Sequence, residues 1–384
     1  MKSNSFFEVL FKVFIFVGVF VFIIEISQRI RELVVIQRER AHYEAWEIFN
    51  SHQGQKVNNG KIAALENLNQ DQVNLAGINA QQAFLSGINL SNATLPHANF
   101  SNADLSLANL SRAFLLSANL SNTDLTFTNL SKATLHSANI SGANLENANL
   151  ENANLENVNF FALSDARERG ISLGVTNLRW AKLIRANLSR AYLYGSKLRN
   201  ADLSNAILDN TFLMYAELEN ANFTGANLRD TNLSNANLRN ADLSNAKLES
   251  VNLEKAIYNN KTQFPSSFKP TKQKAYLIAP GTNLKGADLS SRNLSFDNLI
   301  SANLSFANLK AACLVSAKLS KANLKGADLK GAYLVGAEGL TPSQVKSAKN
   351  WQEAEYDVIF RRKLGLPPAP AEKYKTSAGY NVCS

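Results

Sequence analysis

Side chains that could act as nucleophiles, proton carriers or metal ligands are few and scattered in this sequence. Of the four histidines, His97 and His136 fall at positions that we expect to face solvent. Cys313 and Cys383 have no CxxC spacing, so we expect neither a zinc motif nor a framework of several disulfides from them. The sequence shows no GxSxG, no HExxH and no glycine-rich phosphate loop after a strand. We therefore predict no catalytic residue, no metal site and no cofactor, and interpret the protein as a non-enzyme.

The element that must position any site is a five-residue repeat. Every fifth residue is Leu, Phe or Ile at 45 of 46 positions, in three registers that span 75–160, 173–253 and 284–334. The residue two before this centre is small, and the one just before it is commonly Asn or Asp. A period of five fits neither a helix nor a flat strand. The chain must turn a corner each period, so four sides close a coil of about 20 residues that buries its faces only against neighbouring coils.

These residues resemble the pentapeptide-repeat family, whose motif is A(D/N)LXX. The stretches "SANLSNTDLTFTNLSKATL" and "RNADLSNA" carry the resemblance, which extends from about Val73 to Gly336. It implies an all-β solenoid, a right-handed quadrilateral β-helix. The N-terminal apolar segment, "AWEIFN", "ALENLNQD" and the C-terminal "GLTPSQVKSAKNWQEAEYD" are also similar to membrane-anchored cyanobacterial members.

Two interruptions divide the repeats. We predict a β-helix over 63–258 with a register break near 161–170, an insert over 259–281, and continued repeats over 282–339. The third register either continues the same stack or forms a short second helix. Residues 340–384 are predicted to form a C-terminal helical cap and tail, with Thr341 at the N-cap, Pro342 next and Gln344 closing a capping box. Trp351, Ala354, Val358 and Ile359 are the side chains expected to cover the last coil.

The N-terminus has a different composition. Val13–Ile24 holds twelve uncharged apolar residues, and extension on both sides gives a predicted transmembrane anchor over 1–28. Basic residues follow this span, which predicts a single-pass membrane protein with its repeats in the cytoplasm. A cleaved signal peptide is the alternative. Residues 29–62 are predicted to be a helical stalk and linker, or an amphipathic helix that caps the first coil.

Two charged residues depart from the repeat. Arg292 and Asp297 occupy the small inward position in consecutive repeats, where a charge is costly unless it is paired. The positions lie at adjacent corners, so the two side chains form a candidate core ion pair. The alternative is a bulged or open coil at the start of the third register.

A second departure is an apolar cluster at outward positions. Residues twenty apart stack, which places five large side chains together: Tyr192, Tyr194, Phe212, Met214 and Tyr215. An apolar patch on an Asn- and Ser-rich surface is a candidate site for a protein partner. Cover by 161–170 or by the insert, or simple stacking, would explain the cluster without a partner. Leu107 and Phe127 form a smaller pair elsewhere.

Charge is unevenly distributed along the chain, whose net charge is +9. Residues 71–160 carry 6 acids and 2 bases, whereas 259–339 carry 4 acids and 11 bases. The sequence favours a non-catalytic, membrane-tethered scaffold that binds a protein partner. One alternative is binding of lipid or nucleic acid by the basic third block. Another, which the family resemblance offers, is a DNA-mimicking topoisomerase inhibitor, but that needs a strongly acidic rod, and we do not expect nucleic acid to be involved.

Overall fold

The repeats wrap into stacked square coils. A computed structural model describes residues 4–51, 60–160 and 175–368. Parallel bridges join residues twenty apart on successive coils, from Asn79–Asn99 onward. Each side contributes only one bridging residue, so continuous strands are short: among the described residues they are β1 (Ile257–Tyr258) and β2 (Tyr276–Leu277). The predicted coil of 20 residues is therefore present, although little of it is regular strand.

The coil interior is filled by the repeat centre and the small residue before it. Leu85, Leu90 and Leu95 have no exposed surface, and Ala98 is equally buried. A few small positions hold threonine, whose hydroxyl donates to a carbonyl of the preceding coil, as from Thr128 Oγ1 to Leu105 O over 2.8 Å. Buried polar groups are tolerated when they are bonded in this way.

The corners explain why Asn or Asp precedes the centre. The Asn99 Oδ1 atom accepts the backbone N–H of Ser101 at 3.1 Å, and the same bond recurs around the coils. Such Asx turns let a side chain stand in for a backbone acceptor. The next residue then takes a left-handed conformation, with φ of 58° at Asn102. Asn and Gly tolerate this region best, which accounts for their frequency at corners.

The first two registers form one continuous stack. Bridging partners are 33 residues apart where Asn144 pairs with Asn177 and Asn159 with Tyr192, and the separation then returns to twenty. The expected break near 161–170 lies outside the described residues. The coils on either side of it pair directly, so we call the coils from Leu75 to Gln263 the first stack.

Two helices close the beginning of the first stack. Helix α1 spans Asn4–Asn50 and α2 spans Lys61–Gln70. Leu65 and Leu68 of α2 are fully buried on the first coil, together with Phe49 near the end of α1. The Glu66 carboxylate accepts the backbone N–H of Asn89 at 2.7 Å. The cap therefore covers apolar surface and also satisfies a backbone group of the coil edge.

The predicted transmembrane anchor over 1–28 is wrong. Within the described part of the chain, no helix combines enough length and apolarity to cross a membrane. A span needs about 20 predominantly apolar residues, and the uncharged run Val13–Ile24 has twelve. This finding contradicts the prediction of a single-pass membrane protein, and the cytoplasmic placement of the repeats loses its basis.

The third register builds a second stack with its own core. Its coils pair from Asn283–Asn303 to Tyr333–Glu355. Its buried leucines form a cluster separate from that of the first stack. The two stacks are linked by the parallel pairing of β1 with β2. A 3-10 helix over Pro270–Gln273 lies between these two strands in the chain. Ile257 of β1 belongs to the second core and is almost fully buried there.

Helices also close the end of the second stack. Helix α3 spans Pro342–Lys346, and the Thr341 and Gln344 capping box is formed as predicted. A 3-10 helix, Trp351–Glu353, and α4, Val358–Leu364, follow. Ala354 is buried on the last coils, but Val358 and Ile359 are exposed. Trp351 packs against the second core as a partly buried side chain, and the fully buried cover comes from Val345, Tyr356 and Leu364.

Candidate interaction surfaces

The apolar cluster lies on one side of the first stack and at the adjoining corner. Tyr192 and Phe212 bridge on successive coils, and their rings stack with centroids 4.9 Å apart and an interplanar angle of 8°. In the same column Asn159 lies before Tyr192 and Asn232 lies after Phe212. The aromatic pair thus interrupts a column of amide side chains.

The remaining members of the cluster stand at the corner. Tyr194 and Tyr215 have ring centroids 5.2 Å apart. Tyr192 is 45% exposed and Tyr215 50% exposed, so part of the cluster faces solvent. The guanidinium carbon of Arg292, from the second stack, lies 5.8 Å from the centre of the Tyr215 ring. The structure therefore brings Tyr192 together with Phe212 and Tyr194 together with Tyr215, and Tyr215 also contacts Arg292 of the other stack.

Arg292 and Asp297 do not take each other as partners. The Arg292 guanidinium donates to the backbone carbonyl of Asn235, to the Asn235 side-chain oxygen at 2.8 Å and to the carbonyl of Lys255 at 3.2 Å. Asp297 accepts from Arg239. Both side chains of the predicted pair thus reach from the first coil of the second stack to the first stack.

Arg239 is the partner that the sequence did not indicate. Its side chain is 6% exposed and also donates to the carbonyl of Asn293 at 3.0 Å, while Glu219 lies 3.6 Å away. Nearby, Lys255 Nζ lies 3.0 Å from the Asp288 carboxylate. Arg199 occupies the same outward corner position as Arg239, two coils earlier. It forms a more exposed pair with Glu219 at 2.9 Å. No sequence signal separates these two arginines.

Burial alters the electrostatics of this junction. Desolvation raises the pKa of the Asp297 carboxyl, and the charge of Arg239 only partly offsets it. Desolvation also lowers the pKa of the Arg292 guanidinium. At Asp288, burial would raise the pKa, but hydrogen bonds from Lys255 and Ser290 outweigh it and leave the value low. The junction is a partly buried polar network in which each charge has a specific donor or acceptor.

Several exposed apolar side chains sit where the backbone disfavours them. They occupy the left-handed corner position, with φ between 56° and 63°. A bulky residue in this region is an outlier that costs free energy. The residues are Leu107, Phe127, Trp180, Tyr215, Phe296 and Phe306.

The described residues offer little for catalysis. A cleft of about 610 Å³ between α2 and the first coils is lined by amide, hydroxyl and valine side chains, among them Asn69, Gln72 and Ser91. None of its lining residues titrates near neutral pH. Over the same described ranges, no group of three His, Cys, Asp or Glu side chains is placed to hold a metal ion.

Comparison with known proteins assigns these coils to a family. The family described as pentapeptide repeats (8 copies) matches residues 74–112, 118–157, 176–213, 216–254 and 302–338, about half of the chain. The chain therefore belongs to the pentapeptide-repeat family, and its repeats form a right-handed β-helix. No curated protein matches it.

Solved structures with similarity include HetL of the cyanobacterium Nostoc sp. strain PCC 7120, a pentapeptide repeat protein involved in heterocyst differentiation regulation. It is 29% identical, over 71% of this chain and 96% of HetL, with a TM-score of 0.31. Rfr23 from the cyanobacterium Cyanothece 51142 is 31% identical over 32% of this chain and 90% of its own, with a TM-score of 0.24. QnrB1, a plasmid-mediated fluoroquinolone resistance protein, is 17% identical over 48% of this chain and 91% of its own, with a TM-score of 0.27.

Proposed function

We propose that this protein is a non-catalytic scaffold that binds another protein through the apolar cluster. The observation that carries the proposal is the stacked pair Tyr192 and Phe212, partly exposed in a column of the coil that otherwise presents Asn. Tyrosine and other aromatic residues are enriched in the energetic centres of protein interfaces. An amide column offers no comparable apolar area.

The scaffold itself favours binding at this place. The backbone of the stacked pair is bonded to neighbouring coils, as from Tyr192 N to Val158 O at 3.0 Å and from Phe212 N to Ala191 O at 3.0 Å. The rings are therefore held before a partner arrives, which reduces the conformational entropy that binding must remove. The lack of titratable groups in the cleft at α2 fits a binding role better than a catalytic one.

The experiment is affinity capture of the tagged full-length protein with quantitative mass spectrometry. One variant changes Tyr192 and Phe212 to Ser and keeps Tyr215, the ring over which Arg292 lies. A second changes all five cluster residues to Ser. The matched control changes Leu107 and Phe127 to Ser, which removes an exposed apolar pair from another corner.

We expect a partner near equimolar amount with the wild-type chain and with the control, and its loss with both cluster variants. Circular dichroism would establish that all variants keep their coils. A partner lost equally in the control would show a general apolar attraction and contradict the proposal. Capture of no partner by the wild-type chain would contradict it as well.

A further inference from the structure

Most of helix α1 extends away from the rest of the described chain. Its contacts with the cap come from its C-terminal third, where Arg38 and His42 bind Asp71 and Phe49 is buried. Every large apolar side chain described between Phe11 and Ile36 is at least 40% exposed. An isolated helix of this composition leaves a large apolar surface in contact with water.

Six of the exposed apolar residues lie on one seven-residue period, which begins within a run from Val13 to Ile24 in which nearly every position is apolar. The intervals between them alternate between three and four, and each position of the resulting seam is apolar over three heptads. The seam consists of Phe16, Val19, Ile23, Ile26, Ile30 and Leu33. A spacing that averages 3.5 residues is the pattern of helices that pack along each other, because it keeps the seam facing a partner helix.

Polar residues occupy the opposite side of the same period. Glu25, Gln28 and Glu32 fall at heptad positions that face away from the seam. The positions that flank it hold apolar residues such as Val34 and Ile36, which widen the contact. The partition between an apolar side and a polar side thus follows the heptad from Glu25 to Leu33.

We propose that α1 packs in parallel against α1 of a second copy of this chain along the seam. An identical helix supplies an identical spacing of side chains, so the contact is self-complementary about a two-fold axis. Ile30 with Leu33 is the pair of residue types that favours two parallel strands, whereas Ile23 with Ile26 in the preceding heptad is the pair that favours three or four. The next two seam positions are Gln37 and Arg40, so the seam ends where α1 meets its own cap.

This inference does not depend on the apolar cluster being a partner site. It concerns another surface, and its test measures contact between copies of the chain. If both are correct, two clusters are linked in one particle, which would strengthen binding to a repeated partner.

The test is a photo-crosslinking scan of the full-length chain with its native cysteines unchanged. Benzoylphenylalanine replaces one residue at a time at four seam positions, Val19, Ile23, Ile26 and Ile30, and at four positions facing away, Ile24, Glu25, Gln28 and Val35. We expect the band at twice the chain mass to be several-fold stronger for the seam positions. Equal yield at all eight positions would mean disordered association and overturn the proposal, as would no dimer band at any.

A second measurement separates seam packing from apolar attraction in general. The probe stays at Val19, and the chain carries either Ile26→Asn with Ile30→Asn or the control pair Ile24→Asn with Val35→Asn. All four changes remove exposed aliphatic side chains from the same helix. We expect the seam pair to abolish the dimer band and the control pair to keep it. The reverse result, or equal loss, would overturn the assignment of the seam.

Discussion

At the scale of single residues, the left-handed backbone at the corner position determines which side chains lower the stability of the fold. Asn102 and Asn147 take φ values of 58° and 59°, which the short amide side chain tolerates. Phe127 takes 56° at the same column as Asn147, one coil earlier. Phe127 gains little from burial there, because it is exposed. Its presence therefore costs stability that the coil does not recover.

The exchange of these two residue types should reveal that cost. We expect Phe127→Asn to stabilise the protein by about 1 kcal/mol, the order of the penalty for a side chain in the left-handed region. The matched change Asn147→Phe should destabilise it by a similar amount. Urea denaturation followed by circular dichroism measures both. Loss of stability in Phe127→Asn would show that the ring makes contacts worth more than the strain.

At the scale of elements, the caps protect the open ends of the stacks. Asn69 Nδ2 of α2 donates to the carbonyl of Ser91 at 3.1 Å, and Gln344 Nε2 of α3 donates to the carbonyl of Ala322 at 2.9 Å. Both bonds cover backbone that would otherwise form a sheet edge available for pairing with another chain. The helices at both ends thus donate hydrogen bonds to backbone carbonyls of the coils and also bury their leucines.

Attachment of α1 to the first cap should depend on acid. The pKa of Asp71 is lowered, first by the hydrogen bond from His42 and then by Arg38, with 2.7 Å between His42 Nε2 and Asp71 Oδ2. A lowered carboxyl pKa means that this contact contributes stability above the ordinary value near 4 and loses it as pH falls through the shifted value. The contact of Arg38 and His42 with Asp71 should therefore weaken in acid.

Trp46 reports this weakening because it packs on the same core beside Phe49. In a chain with Trp180→Phe and Trp351→Phe, its emission should shift to longer wavelength as pH falls below about 4. The variant Asp71→Asn should lack that step and resemble the acid form throughout. An unchanged acid step in Asp71→Asn would assign it to a different carboxyl group.

At this scale the fold of the repeats was predictable from the sequence, but the way in which the second stack attaches to the first was not. The five-residue period fixes inward Leu and Ala, the Asn before each centre fixes the corner bond, and Thr341 with Gln344 marks a helix start. The direction of the second stack depends instead on Ile257, at an outward position, and on contacts such as Arg239 with Asp297, 58 residues apart. The apolar N-terminal run misled for a related reason, since composition alone does not fix the length of a span.

At the scale of the whole molecule, two stacks with separate cores are joined by the pairing of β1 with β2 and by a small set of polar contacts. Arg239 belongs to the first stack and Asp297 to the second, and both are largely buried. Arg292 adds bonds to Asn235 and Lys255 across the same boundary. Because the two cores are separate apart from Ile257 at their boundary, we expect these contacts to add to the β1–β2 pairing in holding the stacks in one arrangement.

Loss of one charge at the junction should therefore cost far more than loss of a surface charge. We expect Arg239→Met to destabilise the protein by about 3–5 kcal/mol, since it leaves Asp297 buried without its partner. The double variant with Asp297→Leu should recover most of that loss, because it removes both charges. The control Arg199→Met breaks a more exposed pair with Glu219 and should cost at most about 1 kcal/mol.

Chemical denaturation gives these three values, and small-angle X-ray scattering reports the arrangement of the stacks. If the buried pair joins the stacks, Arg239→Met should also broaden the distribution of interatomic distances, whereas Arg199→Met should leave it unchanged. A cost in Arg239→Met no greater than in the control would mean that β1–β2 pairing and Ile257 alone carry the junction. In that case Ile257→Ala, which opens a cavity in the second core at a cost of about 2–5 kcal/mol, should be the change that separates the stacks.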